Sequence, residues 1–299
     1  MAMQYLDAFR LPTEEDEAGF LLRFPPKLEM TCYDQNNAYP FKIFPQKRLE
    51  RLTFEPITVF CGGNGSGKST LLNVIAEKLQ LPRKTPFNYM PLYEDYLRMC
   101  RAELRIGNSV PKESRIITSD AVFDYMLDLR AMNEGIDLRR NEIFADYDRI
   151  NDPNSHFQLS SMEDFEEYRE FHRARRETKS AYTRRRMPEK ELRGRSNGES
   201  AFAYFTAQIG EHALFLLDEP ENSLSAELQK KLADFLVESM RFYECQFIIA
   251  THSPFLLGMK DVKIYDLDAA PAAERRWTEL PMVKTYYDFF REHQKEFEK

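Results

Sequence analysis

The sequence has few of the features that mark secreted, zinc-binding or disulfide-stabilised proteins. Its 299 residues include only four cysteines, and no two of them form a C-x-x-C pair. No histidine cluster accompanies them, so we expect neither a structural zinc site nor a disulfide framework. The cysteines are expected to be thiols in a reducing cytosol. They are Cys32, Cys61, Cys100 and Cys245.

Long apolar runs are also missing. None approaches the roughly 18 residues that a membrane-spanning helix requires. The amino-terminal segment MAMQYLDAFRLPTEEDEAGF has no basic start followed by an apolar stretch, which argues against a secretory signal. Apolar residues make up 42% of the chain and charged residues 30%. We therefore expect a cytoplasmic protein with a substantial core, exposed charged helices and no membrane span.

The net charge of −7 gives the molecule no general affinity for nucleic acid. The stretch 169–195 differs, because eleven basic residues there stand against four acidic ones. Such a stretch can contact DNA or RNA phosphates, or it can be a solvated helix face with internal ion pairs. Its basic residues are Arg169, Arg173, Arg175, Arg176, Lys179, Arg184, Arg185, Arg186, Lys190, Arg193 and Arg195.

Short apolar runs alternate with helical patterns along the chain. Continuous apolar runs are typical of strands buried on both faces of a parallel sheet, so we predict an α/β fold with a mostly parallel sheet flanked by helices. The predicted strands are FLLRF (20–24), ITVFC (57–61), RIITS (115–119), ALFLL (213–217), QFIIA (246–250) and VKIYD (262–266).

The remaining segments complete the predicted organisation. The segment before Pro56 is expected to add antiparallel strands beside the parallel sheet. The charged, aromatic region 82–195 predicts a mostly helical insertion that carries one core strand at 115–119. We treat residues 1–299 as a single domain that contains this insertion.

A phosphate loop stands between a predicted strand and a predicted helix. Residues 62–69 fit the pattern G-x-x-x-x-G-K-[ST] at every fixed position. Backbone N–H groups of such a loop converge on phosphate oxygens, and the helix N-terminus adds its positive end. Lys68 is expected to reach the β- and γ-phosphates, and Ser69 to hold Mg²⁺. The predicted nucleotide-binding residues are Gly62, Gly63, Asn64, Gly65, Ser66, Gly67, Lys68, Ser69 and Thr70.

Two further strand ends carry candidate catalytic residues. Asp218 and Glu219 follow the run ALFLL, where one carboxylate can hold Mg²⁺ while its neighbour accepts a proton from the attacking water. His252 follows QFIIA, at the edge of an α/β sheet where ligands bind, and is predicted to contact the γ-phosphate.

The order of these motifs carries a resemblance. A phosphate loop, the stretch RSNGESAF (195–202), LLDEP and a strand ending in TH follow one another along the chain. The sequence resembles the nucleotide-binding domain of the ABC-type ATPases. In particular, it resembles the soluble predicted-ATPase branch of AAA family ATPases near the SMC and DNA-repair ATPases, which reads DEPE and THSPFLL. The resemblance covers about residues 50–80 and 190–267.

The resemblance implies a role for RSNGESAF as the signature motif. In the family this loop contacts the γ-phosphate held by the partner subunit, and Ser196 and Gly198 match the contacting positions. It therefore implies ATP and Mg²⁺ as ligands and a head-to-tail homodimer on ATP binding. The loop can also cap the helix that follows it.

Three positions depart from the family pattern. Ser119 and Asp120 stand where the glutamine of the family's glutamine loop is expected, and Ser225 stands where the loop after the catalytic glutamate has aspartate. No residue is identified for stacking on adenine, for which Tyr5, Phe9 and Phe44 remain alternatives.

The resemblance implies a soluble Mg-dependent ATP hydrolase that acts in DNA repair or phage defence, with nucleic acid or a nuclease as partner. Two alternatives remain open. One is the ATP-binding subunit of a membrane transporter, and the other is an ATP-state switch that gates a protein effector. A long coiled-coil arm is not expected, because the segment between Lys68 and Ser196 has no sustained heptads.

Overall fold

The computed structural model describes residues 3–22, 38–87, 89–105, 107, 109–158, 161–187 and 196–298. Two sheets form the framework of this part of the chain. The larger has six strands in the order β5-β6-β7-β3-β8-β9, and the smaller has three in the order β2-β1-β4. The strands are β1 (Leu6–Arg10), β2 (Arg51–Thr53), β3 (Ile57–Cys61), β4 (Arg101–Leu104), β5 (Arg115–Thr118), β6 (Leu214–Asp218), β7 (Gln246–Ala250), β8 (Lys263–Asp266) and β9 (Ala273–Glu274).

The larger sheet is parallel except at one edge. Strands β5, β6, β7, β3 and β8 pair in parallel, and only β9 runs antiparallel, against β8. Every residue of β3 and β7 is buried, which is why these strands read as continuous apolar runs rather than alternating ones. The smaller sheet is antiparallel and includes β1 and β2 from the amino-terminal segment. The α/β fold with amino-terminal antiparallel strands is confirmed.

The helices follow the predicted alternation. A helix follows the phosphate loop after β3, and another connects β6 with β7. Helices α2 and α8 both pack against β7. The helices are α1 (Glu14–Leu21), α2 (Lys68–Lys78), α3 (Tyr93–Met99), α4 (Ser119–Asn151), α5 (Phe165–Arg176), α6 (Lys179–Arg186), α7 (Asn197–Gln208), α8 (Ala226–Phe242), α9 (Pro254–Leu257), α10 (Pro281–Glu292) and α11 (Gln294–Phe297).

The strand predicted for FLLRF is wrong over its described residues, because Phe20 and Leu21 end helix α1. A capping box starts this helix: the Thr13 side chain accepts from the Asp16 backbone, and the Asp16 side chain accepts from the Thr13 backbone. Acidic residues fill the first turn, where they interact favourably with the helix dipole. These local signals outweigh the β-forming tendency of the short apolar run.

The described residues form two compact units. The first includes the chain up to Phe123 and from Asn197 onward, and it contains both sheets. The second extends from Asp124 to Ser196. Strand β5, helix α3 and strand β4 belong to the first unit, so the helical unit begins later than the insertion expected from residue 82.

The second unit has a small core of its own. Ile143 from α4, Ala174 from α5 and Tyr182 from α6 are buried together. Tyr147 and Met187 pack at the edge of this cluster. The Tyr147 hydroxyl also donates to the carbonyl of Glu177, at a distance of 3.0 Å.

Among the described residues, no helix combines the length and the apolar character that crossing a bilayer requires. The described cysteines Cys61, Cys100 and Cys245 are buried free thiols. Cys32 lies outside the described residues.

Candidate functional site

The phosphate loop joins β3 to α2, as the motif predicts. Gly62 follows the last residue of β3, and α2 begins at Lys68. A Cβ atom on Gly62 would lie 2.6 Å from the Ser66 Oγ, closer than real side chains allow. Gly67 precedes α2 with φ of +91°, a left-handed conformation that favours glycine. The glycines at these two positions therefore follow from the geometry of the loop.

Lys68 is buried within its own loop. Its Nζ donates to the carbonyl oxygens of Gly62, at 2.8 Å, and Gly63, at 3.0 Å. The side chain is only 4% exposed. Burying an ammonium group costs free energy because the group loses its hydration. The two carbonyl contacts compensate for part of this desolvation cost. The Oγ atom of Ser66 is also buried, and it has no hydrogen-bond partner among the described residues.

The two predicted acidic residues lie at the end of β6, beside the start of α2. The Ser69 Oγ donates to the Asp218 Oδ1 at 3.0 Å. The Glu219 Oε1 lies 3.8 Å from the Lys68 Nζ. The parallel pairing of β6 with β7 and of β7 with β3 brings these strand ends to one edge of the sheet. Four residues predicted from separate motifs thus meet in one site.

Burial perturbs the first of these carboxyl groups. It raises the pKa of Asp218 to about 6, and the hydrogen bond from Ser69 acts in the opposite direction. The nearby Glu219 carboxylate raises this pKa further. A perturbed carboxyl group beside a phosphate loop is typical of a functional site.

Glu219 has an unusual backbone conformation. Its φ is +47°, in the left-handed region that costs a non-glycine residue free energy. Its N–H donates to the carbonyl of Ala250 at 2.8 Å, which holds the turn at the end of β6 against β7. The carboxylate Oε2 accepts from the Asn222 side chain at 3.1 Å. The strained position is maintained by contacts on both sides.

His252 lies two residues beyond the end of β7 and near the same acidic residues. Its Nδ1 is 3.9 Å from the Glu219 Oε1 and 3.3 Å from the Glu221 Oε1. The side chain is 44% exposed, so the ring remains accessible to a ligand.

The signature positions lie at the start of α7. Ser196 directly precedes this helix, and Gly198 is in its first turn. A Cβ atom on Gly198 would lie 3.0 Å from the Leu228 Cδ1 and 3.1 Å from the Ser223 carbonyl oxygen. The start of α7 therefore packs against the loop that follows Glu219. Ser225 in this loop caps α8 through its side chain. Arg195 lies outside the described residues.

Ser119 and Asp120 begin helix α4 directly after β5. The last residue of β5, Thr118, is paired in register with Asp218. The positions that depart from the glutamine-loop pattern therefore follow the strand next to the one that carries the acidic pair.

The three aromatic candidates for adenine stacking are core residues. Tyr5, Phe9 and Phe44 are each at most 5% exposed. The Tyr5 hydroxyl donates to the carbonyl of Glu244, and Phe9 lies in β1. The Phe44 ring lies beside the position that a Cβ of Gly67 would occupy. Burial of this kind leaves no free face for a base.

Three contacts at the site have no counterpart among the predicted residues. The Asp268 Oδ2 accepts from the Gly63 N–H at 2.8 Å, and the Tyr39 hydroxyl donates to the Thr70 Oγ1 at 3.1 Å. Glu221 contacts His252. Only Glu221 had a local signal, since it belongs to the DEPE pattern, whereas the other two partners are distant in sequence.

Residues 120–258 match the family model described as "AAA domain, putative AbiEii toxin, Type IV TA system". This segment includes the signature positions, the acidic pair and His252, and it is slightly less than half of the chain. No curated protein matches the sequence. The family match is partial, since the phosphate loop at residues 62–69 lies before the matched segment.

Solved structures of ABC cassettes and Smc heads are similar to parts of the chain. One is the Smc head domain with an extended coiled coil from Pyrococcus furiosus, with 13% identity, a TM-score of 0.37, and coverage of 82% of this chain and 95% of that one. Another is cbiO1 from Clostridium perfringens, with 16% identity, a TM-score of 0.36, and coverage of 81% and 84%. A third is the dimeric bacterial ABC transporter cassette MJ0796, with 14% identity, a TM-score of 0.38, and coverage of 77% and 90%.

Proposed function

We propose that the protein is a Mg-dependent ATP hydrolase that binds ATP at residues 62–70 and closes as a head-to-tail homodimer. The observation that carries this proposal is the contact between strand end and phosphate-loop helix. Ser69 donates to Asp218, and Lys68 lies near Glu219. The site thus combines a loop that can bind phosphate, two oxygen ligands for a metal (Ser69 and Asp218) and a carboxylate for proton transfer (Glu219).

The residues at the site fit a nucleotide with Mg²⁺. Oxygen atoms are the ligands that Mg²⁺ prefers, and Ser69 and Asp218 supply a hydroxyl and a carboxylate oxygen side by side. Lys68 is held by carbonyls, which a phosphate oxygen can replace as a partner for the ammonium group. The buried, unpartnered Ser66 hydroxyl adds a donor inside the loop. Mg²⁺ held by Ser69 and Asp218 would neutralise charge on the phosphates.

Each remaining residue has a proposed task in hydrolysis. The Glu219 carboxylate accepts a proton from the attacking water, for which its position at the strand end and its partial exposure are suited. Lys68 stabilises negative charge on the γ-phosphate oxygens, and His252 adds a donor from the next strand end. The strained backbone of Glu219 is consistent with a position held for function rather than stability.

The dimer is proposed from the signature positions. Ser196 and Gly198 present a hydroxyl and a helix N-terminus, which together favour an anion. In the head-to-tail arrangement they contact the γ-phosphate bound by the partner. Because Gly198 packs against the loop after Glu219, occupancy at the interface can affect the catalytic turn.

The test is the oligomeric state of Glu219→Gln. This variant keeps the shape of the side chain but removes the proton acceptor, so ATP should remain bound and hold the dimer. We expect light scattering to give the mass of a dimer with saturating ATP and Mg²⁺, and that of a monomer for Lys68→Ala under the same conditions. A Glu219→Gln protein that stays monomeric contradicts the proposed closure.

We further propose that the protein binds nucleic acid and that the helical unit contacts it. Most described basic residues of the stretch 169–195 already have partners. Arg173 and Arg185 pair with Glu170 and Glu177, and Arg175 donates to backbone carbonyls. Residues 188–195, with three more basic side chains, lie outside the described residues. Most of the described positive charge of this stretch is therefore already paired or hydrogen-bonded within the unit.

One groove in this unit supports the contact more specifically. It has a volume of about 420 Å³, and its lining includes Arg140, Lys179 and Arg184 together with the hydroxyls of Ser180 and Thr183. Arg140 and Lys179 pair with Asp137 and Asp148. Arg184 is exposed and forms no ion pair with the described residues. Cations and hydroxyls along a groove suit a phosphate backbone.

The salt dependence of DNA affinity tests this partner. We expect Arg184→Glu to weaken binding of a DNA duplex and to reduce the slope of log affinity against log salt by about one unit. Arg173→Glu is the matched control, since Arg173 is already neutralised within its own unit. If both variants bind DNA as tightly as wild type, the groove is not the DNA-binding surface. That result favours a protein partner instead: a nuclease, an effector gated by the ATP state, or a membrane transporter.

A further inference from the structure

Glu221 is a buried carboxylate to which the proposed mechanism gives no task. It lies in the turn after β6, two residues beyond Glu219, and is 5% exposed. Transferring a carboxylate from water to such a position costs several kcal/mol unless partners compensate. Its two carboxylate oxygens differ in their number of polar partners, and this difference indicates the role of the residue.

All the described hydrogen bonds and ion pairs of the Glu221 carboxylate are made by one of its two oxygens. Its Oε1 accepts from the Thr251 hydroxyl at 2.6 Å and from the His252 backbone N–H at 2.8 Å. The same oxygen lies 3.3 Å from the His252 Nδ1. The Oε2 is buried and has no hydrogen-bond partner among the described residues. The Nδ1 of His252 is thus the ring atom that the described contacts place nearest to this carboxylate.

We propose that Glu221 is the positioning residue for His252: it fixes the main chain of that residue and holds a proton on Nδ1, which leaves Nε2 for a ligand oxygen. The inference rests on the proposed function, because Glu221 would support His252, the residue proposed to contact the γ-phosphate. A carboxylate that accepts from one ring nitrogen sets the tautomer and orientation of a histidine, as in hydrolytic triads.

The arrangement around His252 favours this role over simple support of the loop. The neighbouring residue Ser253 is held by a neutral contact, in which its Oγ donates to the Gln229 Oε1 at 2.7 Å. Ser253 also caps α9. The loop therefore has an anchor that needs no charge. Glu221 instead places a buried negative charge against the Nδ1, and Glu219 lies 3.9 Å from the same atom.

Two substitutions at Glu221 separate positioning from support. Glu221→Met fills a similar volume without an acceptor, so we expect the Nδ1–H signature in the nitrogen NMR spectrum of His252 to disappear and kcat to fall about 100-fold. Glu221→Gln keeps an amide oxygen, so we expect the Nδ1–H form to persist and kcat to fall about tenfold, with the KM for ATP within about twofold of wild type. Losses of this size are usual for residues that orient a functional histidine.

The spectra can be assigned because the chain has only five histidines, and His252→Gln identifies the relevant signals. Ser253→Ala is the matched control in the same loop, because it removes a neutral anchor and no carboxylate, so the Nδ1–H form of His252 should persist in it. Glu221→Gln alone decides if Glu221→Met does not fold. Wild-type kcat and an unshifted His252 spectrum in Glu221→Gln would overturn the proposal, as would equal losses of kcat in both variants with the Nδ1–H form retained in both.

The two readouts also distinguish this inference from the proposed function. The NMR experiment uses the nucleotide-free chain and needs no turnover. A wild-type protein that fails to hydrolyse ATP would refute the hydrolase, while the His252 spectrum would still report whether Glu221 sets the tautomer.

Discussion

Three buried or half-buried carboxyl groups of the unit with the sheets contrast with two ion-paired carboxylates of the helical unit. In the unit with the sheets, Glu17, Asp218 and Glu221 are withdrawn from water, and burial raises the pKa of the first two. In the helical unit, Glu170 and Glu177 lie near the surface and pair with Arg173 and Arg185. Hydrogen bonds from Arg173 and Arg185 lower the pKa of Glu177. Solvated pairs of this kind add little to stability, whereas buried charges are costly and mark positions that have another reason to exist.

The largest effect is expected where a buried charge meets the phosphates. Lys68→Ala should reduce ATP turnover by about 1,000-fold or more, because the ammonium group stabilises charge that develops on the transferred phosphoryl group. Lys78→Ala is the control, since Lys78 ends the same helix and its Nζ donates to the Leu97 carbonyl, away from the phosphate loop. Steady-state ATPase assays measure both. A Lys68→Ala protein with near wild-type turnover would mean that the buried lysine is structural.

Gly67→Ala tests the loop itself. The substitution places a side chain at φ of +91° and 3.2 Å from the Ile43 Cγ2, so we expect a loss of about 1–3 kcal/mol in the free energy of unfolding and weaker ATP binding. At Gly210 an added Cβ meets nothing within 4 Å, and Gly210→Ala should change stability by less than about 0.5 kcal/mol. Urea denaturation compares the two. Equal stability of the variants would show that the loop tolerates a side chain.

Glu17→Gln tests the cost of a buried carboxyl group away from the nucleotide site. Burial raises the pKa of Glu17 from 4.5 to about 7, and its Oε1 is buried with no described partner. The native state therefore keeps a proton that the unfolded chain releases. This contribution to stability is complete below pH 4.5 and is lost as the pH rises through 7, which amounts to roughly 3 kcal/mol.

The free energies of unfolding of wild type and Glu17→Gln are measured across this pH range, and the difference between them gives the effect of the carboxyl group. The stability of the variant relative to wild type should increase with pH by that amount. Glu14→Gln, in the exposed first turn of the same helix, removes a carboxylate that interacts favourably with the helix dipole, so the stability of this variant relative to wild type should not rise with pH. A flat difference for Glu17→Gln as well would mean that the carboxyl group is solvated in the native state.

The smallest effect is expected in the helical unit. Lys179 pairs with Asp148 at 2.7 Å, but both side chains are well exposed. We expect Lys179→Gln to change the free energy of unfolding by less than about 1 kcal/mol, as is usual for exposed ion pairs. Urea denaturation provides the measurement. A loss of several kcal/mol would remove the contrast between the two units.

Some features of the fold and of the site follow from local sequence patterns, whereas others depend on tertiary contacts. The strands around the phosphate loop and the acidic pair were predictable because buried parallel strands and G-x-x-x-x-G-K-[ST] are local patterns. Helix α1 replaces the predicted strand because its capping box and acidic first turn outweigh the β-forming tendency of a short apolar run. The contacts of Asp268 with Gly63 and of Tyr39 with Thr70 depend on tertiary pairing, which no spacing along the chain specifies.

Turnover by Glu219→Gln tests the central claim most directly. We expect wild type to hydrolyse ATP only with Mg²⁺, and the variant to be slower by about 100-fold or more while its ATP affinity stays similar, because general bases typically contribute that much. Side-by-side steady-state rates, with and without EDTA, give the answer. Equal rates for the two proteins, or wild-type turnover that persists without Mg²⁺, would contradict the assignment of Glu219, Asp218 and Ser69.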